Sequence, residues 1–382
     1  MRKLATLQVI RNLRKHPNAD TLDLVNIKGW EVITKTGDFK EGDWAIYFEI
    51  DSQLPDYTSV FEFMEKRKFR VKTQKLRGIV SQGLVMPISI INIMIEDGHI
   101  KKKKIKLEEG YNLTEYLKIE KYDPEAQKER KQAGRAYKKK NPFIEYMKQY
   151  QWFRHLHYNI VGKNTKNFPW FIKKTDEERI QNMPFFFEQH DGKLFYIMEK
   201  LDGTSLTVAI RKSGKFSRFS ILKKLFGTDF YVCSRNLTLY NKNDTVYWKI
   251  VDQENIEKKL RSVGKNIAIQ GEIIGETIQN NKYKLKGIDL YIFNVVDLDK
   301  NLYYNNEEKI EFCNKYGFKT CPYIEEIQIL ESMKVSDAIK LATRKSLIND
   351  KVLAEGIVLR DIYNDRISVK AINPEFLLKH GG

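Results

Sequence analysis

The chain has 382 residues, 42% hydrophobic and 12% aromatic, with 67 Lys and Arg against 50 Asp and Glu for a formal net charge of +17. Such length and apolar content support two domains with their own cores and exclude a disordered polymer. No apolar run approaches a membrane span and the opening Met1-Arg2-Lys3-Leu4-Ala5-Thr6 lacks a signal-peptide core, so we expect a soluble intracellular protein, assigned to the cytoplasm, with no membrane partner and no obligate protein partner evident.

In chain order, residues 1 to about 115 carry short alternating or apolar runs broken by turn signals. Leu22-Asp23-Leu24-Val25-Asn26-Ile27 ends at Lys28-Gly29, Trp30-Glu31-Val32-Ile33-Thr34 ends near Gly37-Asp38, and Trp44-Ala45-Ile46-Tyr47-Phe48-Glu49-Ile50 follows. Strands at that spacing predict a small antiparallel barrel. Residues 116–165 are charged and aromatic, with Asp123-Pro124-Glu125 reading as a helix start, and predict a basic helical linker. From 166 to 382 longer strands return among helices predicted at Asp252 to Ser262, Glu307 to Tyr316 and Ser336 to Ile348, the pattern of an α+β domain.

Positive charge in this excess draws polyanions, and nucleic acid is the natural partner. A general richness in Lys, Asn, Ile and Tyr accounts for the same total, so the local runs Lys101–Lys104 with Lys106, and Lys128 through Lys138-Lys139-Lys140, are more telling. Each reads equally as a nucleic-acid contact or a solvated face. Cys233, Cys313 and Cys321 make no disulfide framework or zinc spacing and are expected reduced, and His155 with His157 lacks a third ligand.

The chemistry centres on Lys200. It stands in Glu199-Lys200-Leu201-Asp202-Gly203-Thr204-Ser205, where one apolar run ends and Leu206-Thr207-Val208-Ala209-Ile210 begins. A glycine turn between two such runs predicts a hairpin-like corner, with the lysine at the lip of a sheet. Downstream come Val232-Cys233-Ser234-Arg235-Asn236, Ile269-Gln270-Gly271-Glu272-Ile273, Leu290-Tyr291-Ile292-Phe293-Asn294, Ala354-Glu355-Gly356-Ile357-Val358, and Ile367-Ser368-Val369-Lys370. In this order they resemble the nucleotidyltransferase motifs shared by ATP-dependent polynucleotide ligases and GTP-dependent capping enzymes.

His16-Pro17-Asn18-Ala19-Asp20-Thr21-Leu22 is similar to the opening of OB-like tRNA-binding modules, where a turn leads into the second barrel strand. The wider stretch from Met1 to Pro55, with Lys174 to Asn182, resembles the fifth RNA-ligase family, which places an OB-like domain before the catalytic one. The likeness is close over 1–55 and 170–210, clear around the later motifs and weak from about 90 to 165. It implies an α+β protein, an N-terminal OB-like β-barrel over 1–115 and a ligase-type nucleotidyltransferase domain built on antiparallel sheets over 166–382.

The resemblance also implies ATP with Mg²⁺ or Mn²⁺, an RNA or RNA-containing duplex as partner, and a set of roles. Lys200 attacks the ATP α-phosphorus, and Lys370 stabilises the charge that builds on the α-phosphate. A free lysine titrates near about 10.4, so Lys370 and the metal are expected to depress Lys200 by repulsion. Glu355 is implied as a catalytic metal ligand, Glu272 as a metal or ribose contact, Glu199 and Asp202 as nucleotide contacts. Gly203 lets the backbone approach the nucleotide. Tyr291 or Phe293, two apart on one strand face, covers the adenine. Arg179 and Arg235 suit phosphate through their guanidinium forks, and Asn236 contacts substrate.

The expected activity is sealing of 3′-OH/5′-phosphate RNA ends, at nicks in duplexes, in RNA repair. Rival readings are a capping guanylyltransferase or a DNA ligase of the same superfamily, and, in another class, a nonenzymatic tRNA- or RNA-binding protein.

Overall fold

Clean alternation of buried and half-exposed residues along Trp30–Lys35, with Trp30, Val32 and Thr34 inward, shows how the N-terminal core is made. The computed structural model describes residues 2–122, 165–211, 230–239, 245–364 and 366–381. Strands Ala5–Val9 and Arg11–Lys15 are separated only by buried Ile10. The first pairs with Trp44–Phe48, which pairs with Leu84–Pro87, and the second pairs with Leu22–Ile27, which pairs with Trp30–Lys35. Two three-stranded antiparallel sheets thus share one bent edge and wrap a core that includes Trp30, Phe48 and Phe61.

The C-terminal unit holds two further sheets, one of eight strands and one of five. In the larger, Thr204–Ile210 pairs with Ile267–Gly275, which pairs with Ile288–Asp297. Leu206, Val208 and Ile210 point to one face, where helices Val246–Gln253, Ile256–Ser262 and Asn306–Tyr316 cover them. In the smaller, Leu194–Lys200 pairs with Gly356–Asp361, which pairs with Ser368–Ile372. Phe195, Ile197, Ile357, Leu359, Val369 and Ala371 form its outer core together with helix Val335–Ala342. The intervening residues of both sheets therefore face each other across a cleft.

Three expectations change. Leu194–Lys200 and Thr204–Ile210 do not form a hairpin: each pairs within a different sheet, so the Lys200-to-Gly203 stretch is a crossing from one sheet to the other. The helix expected at Asp252 to Ser262 begins earlier and breaks at Asn255, whose φ is 51°, and the helix expected to reach Ile348 ends at Ala342. The start of the expected linker helix at Asp123, the basic run 128–140, and His155 with His157 lie outside the described residues. No described helix is long and apolar enough to cross a membrane.

The two units meet along a tight seam. Ile372 and Leu377, the latter from helix Pro374–His380, complete the N-terminal core. The Trp30 Nε1 donates to Asn182 Oδ1 at 2.8 Å, and Asn182 Nδ2 donates to Glu49 Oε1 at 3.1 Å. Gly29 donates its amide to the Gln181 carbonyl at 2.9 Å. A Cβ at Gly29 would come within 2.8 Å of Gln181 Cα, so only glycine lets this turn lie flat on the second unit.

Candidate active site

Alternation decides which side chains reach the cleft. Met198 and Lys200, Val358 and Arg360, and Lys370 and Ile372 are the inward residues of three neighbouring strands, while Ser205, Glu272 and Phe293 come from the facing sheet. Together with Arg2, Asp51, Arg70 and Lys121 from the N-terminal unit they line a cavity of about 460 Å³.

Lys200 stands at the end of its strand, directly across from Gly356. Its Nζ donates to both Glu355 oxygens, at 2.8 and 2.7 Å. Burial pushes the Lys200 amine down, but Glu355, Glu272 and Asp202 more than offset this and hold it above the ordinary lysine value. Burial lifts the Glu355 carboxyl above its ordinary value against the pull of Lys200. The sequence led us to expect a deprotonated lysine, depressed by Lys370. Lys200 is instead a paired ammonium, because its nearest neighbour is an anion.

Lys370 lies one strand further on, with its Nζ 2.9 Å from Asp176 Oδ1. Burial lowers its pKa, and Arg179 and Lys200 add to that while Asp176 opposes it. Asp176 also pairs with Arg235 at 3.2 Å and Lys121 at 3.3 Å. Burial alone would raise this carboxyl, but Lys370 and Lys121 hold it well below the usual range. Arg179 is only 6% exposed. One guanidinium nitrogen meets Asp51 at 3.1 Å, whereas its Nε and Nη1 have no hydrogen-bond partner among the described residues. Arg179 also lines the cleft, and a guanidinium with donors to spare suits an anion there.

Other expected residues divide. Glu272 and Phe293 line the cavity, but Tyr291 does not, and the Lys319 ammonium sits 5.7 Å from the centre of its ring. Glu199 lines the cavity too, yet its oxygens accept from Ser346 Oγ at 2.6 Å and Leu347 N at 2.7 Å, so its carboxylate anchors a loop. Asn236 lies outside the lining and accepts from Lys174 at 3.1 Å. Gly203 is required by the fold: a Cβ there would collide with the Ile273 carbonyl, so its close approach is to the facing strand. Asp202 is held by an ion pair with Lys282, and its amide donates to the Tyr283 hydroxyl at 2.8 Å.

Sequence reasoning missed Asp176, Lys282, Tyr283, Arg360 and the N-terminal wall. Asp176 lay inside the Lys174-to-Asn182 likeness as the first of three successive acids, and that likeness was its only signal. Arg360 Nη1 donates to Asn294 Oδ1 at 2.5 Å and to the Phe293 carbonyl at 3.0 Å, tying the two sheets behind the nucleophile.

The donor set suits a hard divalent cation, since Glu355, Glu272 and Asp202 offer carboxylate oxygens near Lys200. Among the described residues no three metal-ligating side chains are drawn together. That fits Mg²⁺ or Mn²⁺, which bind through one or two carboxylates with water and substrate phosphates completing the shell.

A lysine at the edge of a two-sheet cleft, with carboxylates beside it and further cations in the lining, all behind a small β-unit, is the arrangement of a nucleotidyltransferase. An RNA ligase family model matches residues 193–372 and an OB-fold domain model matches residues 4–88. The chain thus carries an N-terminal OB-fold domain followed by an RNA ligase domain of nucleotidyltransferase fold. It is similar to solved structures of the Naegleria gruberi RNA ligase. A lysine-to-alanine variant with ATP and Mn shares 27% identity, covers 99% of each chain and has a TM-score of 0.77. The same ligase with PPi shares 28%, covering 100% of this chain and 99% of that one, with a TM-score of 0.76. A lysine-to-methionine variant with AMP and Mn shares 27% over 100% and 99%, at 0.77. No curated protein matches the chain.

Proposed function

We propose that this RNA ligase uses ATP and Mg²⁺ or Mn²⁺ to seal 3′-OH/5′-phosphate ends at nicks in RNA-containing duplexes, through adenylate carried on Lys200. The observation that carries the reading is Lys200 itself, hydrogen-bonded to Glu355 in a cleft whose far rim is Lys370, Arg179 and Arg235. The similar ligase structures contain ATP, AMP and PPi.

Bound metal would supply Lewis-acid charge against the phosphates, held by Glu355 and Glu272. Glu355, 2.7 Å from the Lys200 Nζ, is placed to take a proton from the amine. The freed Nζ forms a bond to the α-phosphorus as the bond to the β-phosphate oxygen breaks and pyrophosphate leaves. In this reading Lys370 stabilises the charge that gathers on the α-phosphate and Arg179 supports the leaving pyrophosphate, both from the cleft lining. An RNA 5′-phosphate oxygen then displaces Lys200 from the adenylate phosphorus. Last, the 3′-hydroxyl attacks that 5′-phosphorus and releases AMP.

The test is labelled ATP or GTP with Mg²⁺, followed by denaturing gels and mass spectrometry. ATP alone should leave one nucleotide on the wild type and none on Lys200→Ala. Label from GTP instead would indicate a capping enzyme. Nicked duplexes with RNA or DNA on the 3′-OH side then separate RNA from DNA sealing, and a preference for DNA would overturn the substrate assignment.

A further inference from the structure

Trp170 is 86% exposed, more than any other large hydrophobic side chain among the described residues. Its surroundings hold it there. Phe171 meets it edge-on at 5.9 Å and meets Tyr231 at 5.2 Å. The Arg211 guanidinium lies 4.8 Å from the centre of the Trp170 ring and 4.3 Å from that of Phe171. Just beyond, Ile172 is buried among Ala209, Ala268 and Val296, and the Lys173 carbonyl accepts from Gln270 Nε2 at 3.0 Å. The indole is therefore displayed from a pinned backbone.

Arg211 against its ring and Lys173 and Lys174 just after it are cations. Lys173 and Lys174 are exposed, and Lys174 reaches Asn236 at 3.1 Å, next to Arg235 at the cleft rim. Thr175 and Asp176 follow directly and line the cleft. An aromatic plane among cations, running into a site that handles phosphate ends, has the make-up of a surface for unpaired nucleic-acid bases. A protein partner would call for a wider apolar patch than one indole.

We propose that Trp170 is a stacking platform for an unpaired base of the RNA substrate, with Lys173, Lys174 and Arg211 on the adjoining phosphates. The inference rests on the RNA-ligase reading above and names how that substrate is held. A base inside a duplex already has both faces stacked, so the base on Trp170 belongs to a strand end, a gap or a single-stranded flank.

The experiment compares wild type, Trp170→Ala and Trp170→Phe in four measurements: lysyl-adenylate formation from ATP, binding of a 5′-phosphorylated single-stranded RNA, quenching of tryptophan fluorescence by that RNA, and joining of RNA ends. Trp170→Ala should form lysyl-adenylate as wild type does, which also shows that it is folded, and bind the RNA roughly tenfold more weakly, the scale of one lost base stack. Trp170→Phe should keep most of the affinity and lose most of the quenching. RNA binding by Trp170→Ala equal to wild type, or full quenching in Trp170→Phe, would overturn the platform. If the wild type forms lysyl-adenylate yet joins no RNA, the ligase reading itself fails. If it joins RNA and Trp170→Ala joins it equally well, the platform alone falls.

Discussion

An amine must lose a proton before it can attack phosphorus, and the arrangement around Lys200 makes that loss conditional. Glu355 is the strongest of the influences holding Lys200 charged, while burial pulls the other way. Glu355→Gln should therefore drop the lysine below its wild-type pKa, and a lower-pH onset of labelling by an amine-directed reagent would show it; an unchanged onset would contradict the pairing. Adenylation in the wild type should rise with pH, because the reactive form is the neutral one. Lys200, Asp202, Glu272, Glu355 and Lys370 were legible in the sequence from motif order, though they are spread from residue 200 to residue 370. Their ion-pair partners were not: Asp176 and Lys282 are chosen by tertiary proximity, which no spacing encodes. Tyr291 and Phe293 were indistinguishable in sequence because both occupy one strand parity, and only the position of the facing sheet separates them.

Strand parity made most of the catalytic unit readable, because alternation alone sends Lys200, Val358 and Lys370 inward and Ile197, Ile357 and Val369 outward. What it could not reveal was which sheet the run after Gly203 joins, since pairing is nonlocal and a glycine turn looks the same in a hairpin and in a crossing. The crossing explains the glycine. With the Ile273 carbonyl against Gly203, Gly203→Ala forces two strands apart, a strain of about 1–3 kcal/mol. Thermal unfolding should show a lowered midpoint, together with weaker adenylation as Lys200 and Asp202 move. An unshifted midpoint would mean that the crossing yields without cost. Helix ends were read less well, and Asn255 shows why: a residue at positive φ splits an otherwise continuous amphipathic pattern.

At the scale of the molecule, the seam is electrostatic where it meets the cleft. Burial would raise the Asp51 carboxyl, but Arg179 and Arg70 hold it below its usual range, with ion pairs of 3.1 and 2.8 Å. A depressed folded-state pKa contributes stability that is complete above the unfolded value of about 4 and is lost as pH falls through the folded one. Asp51→Asn should thus cost about 3 kcal/mol at neutral pH, since it strands the buried Arg179, and should flatten the acid side of the stability profile. Urea unfolding from neutral to acid pH measures both, and a variant that parallels the wild type throughout would show the pair to be idle.

The seam also has an apolar half, in which Ile372 and Leu377 close the core formed by residues as early as Leu4. A polypeptide emerging from the ribosome makes its N-terminal unit first. That unit must wait, with one flank of its interior wet, until Ile372 and Leu377 have also been made. Nascent or truncated forms would then be the ones that need chaperones, and nucleotide chemistry could begin only once translation has passed helix Pro374–His380.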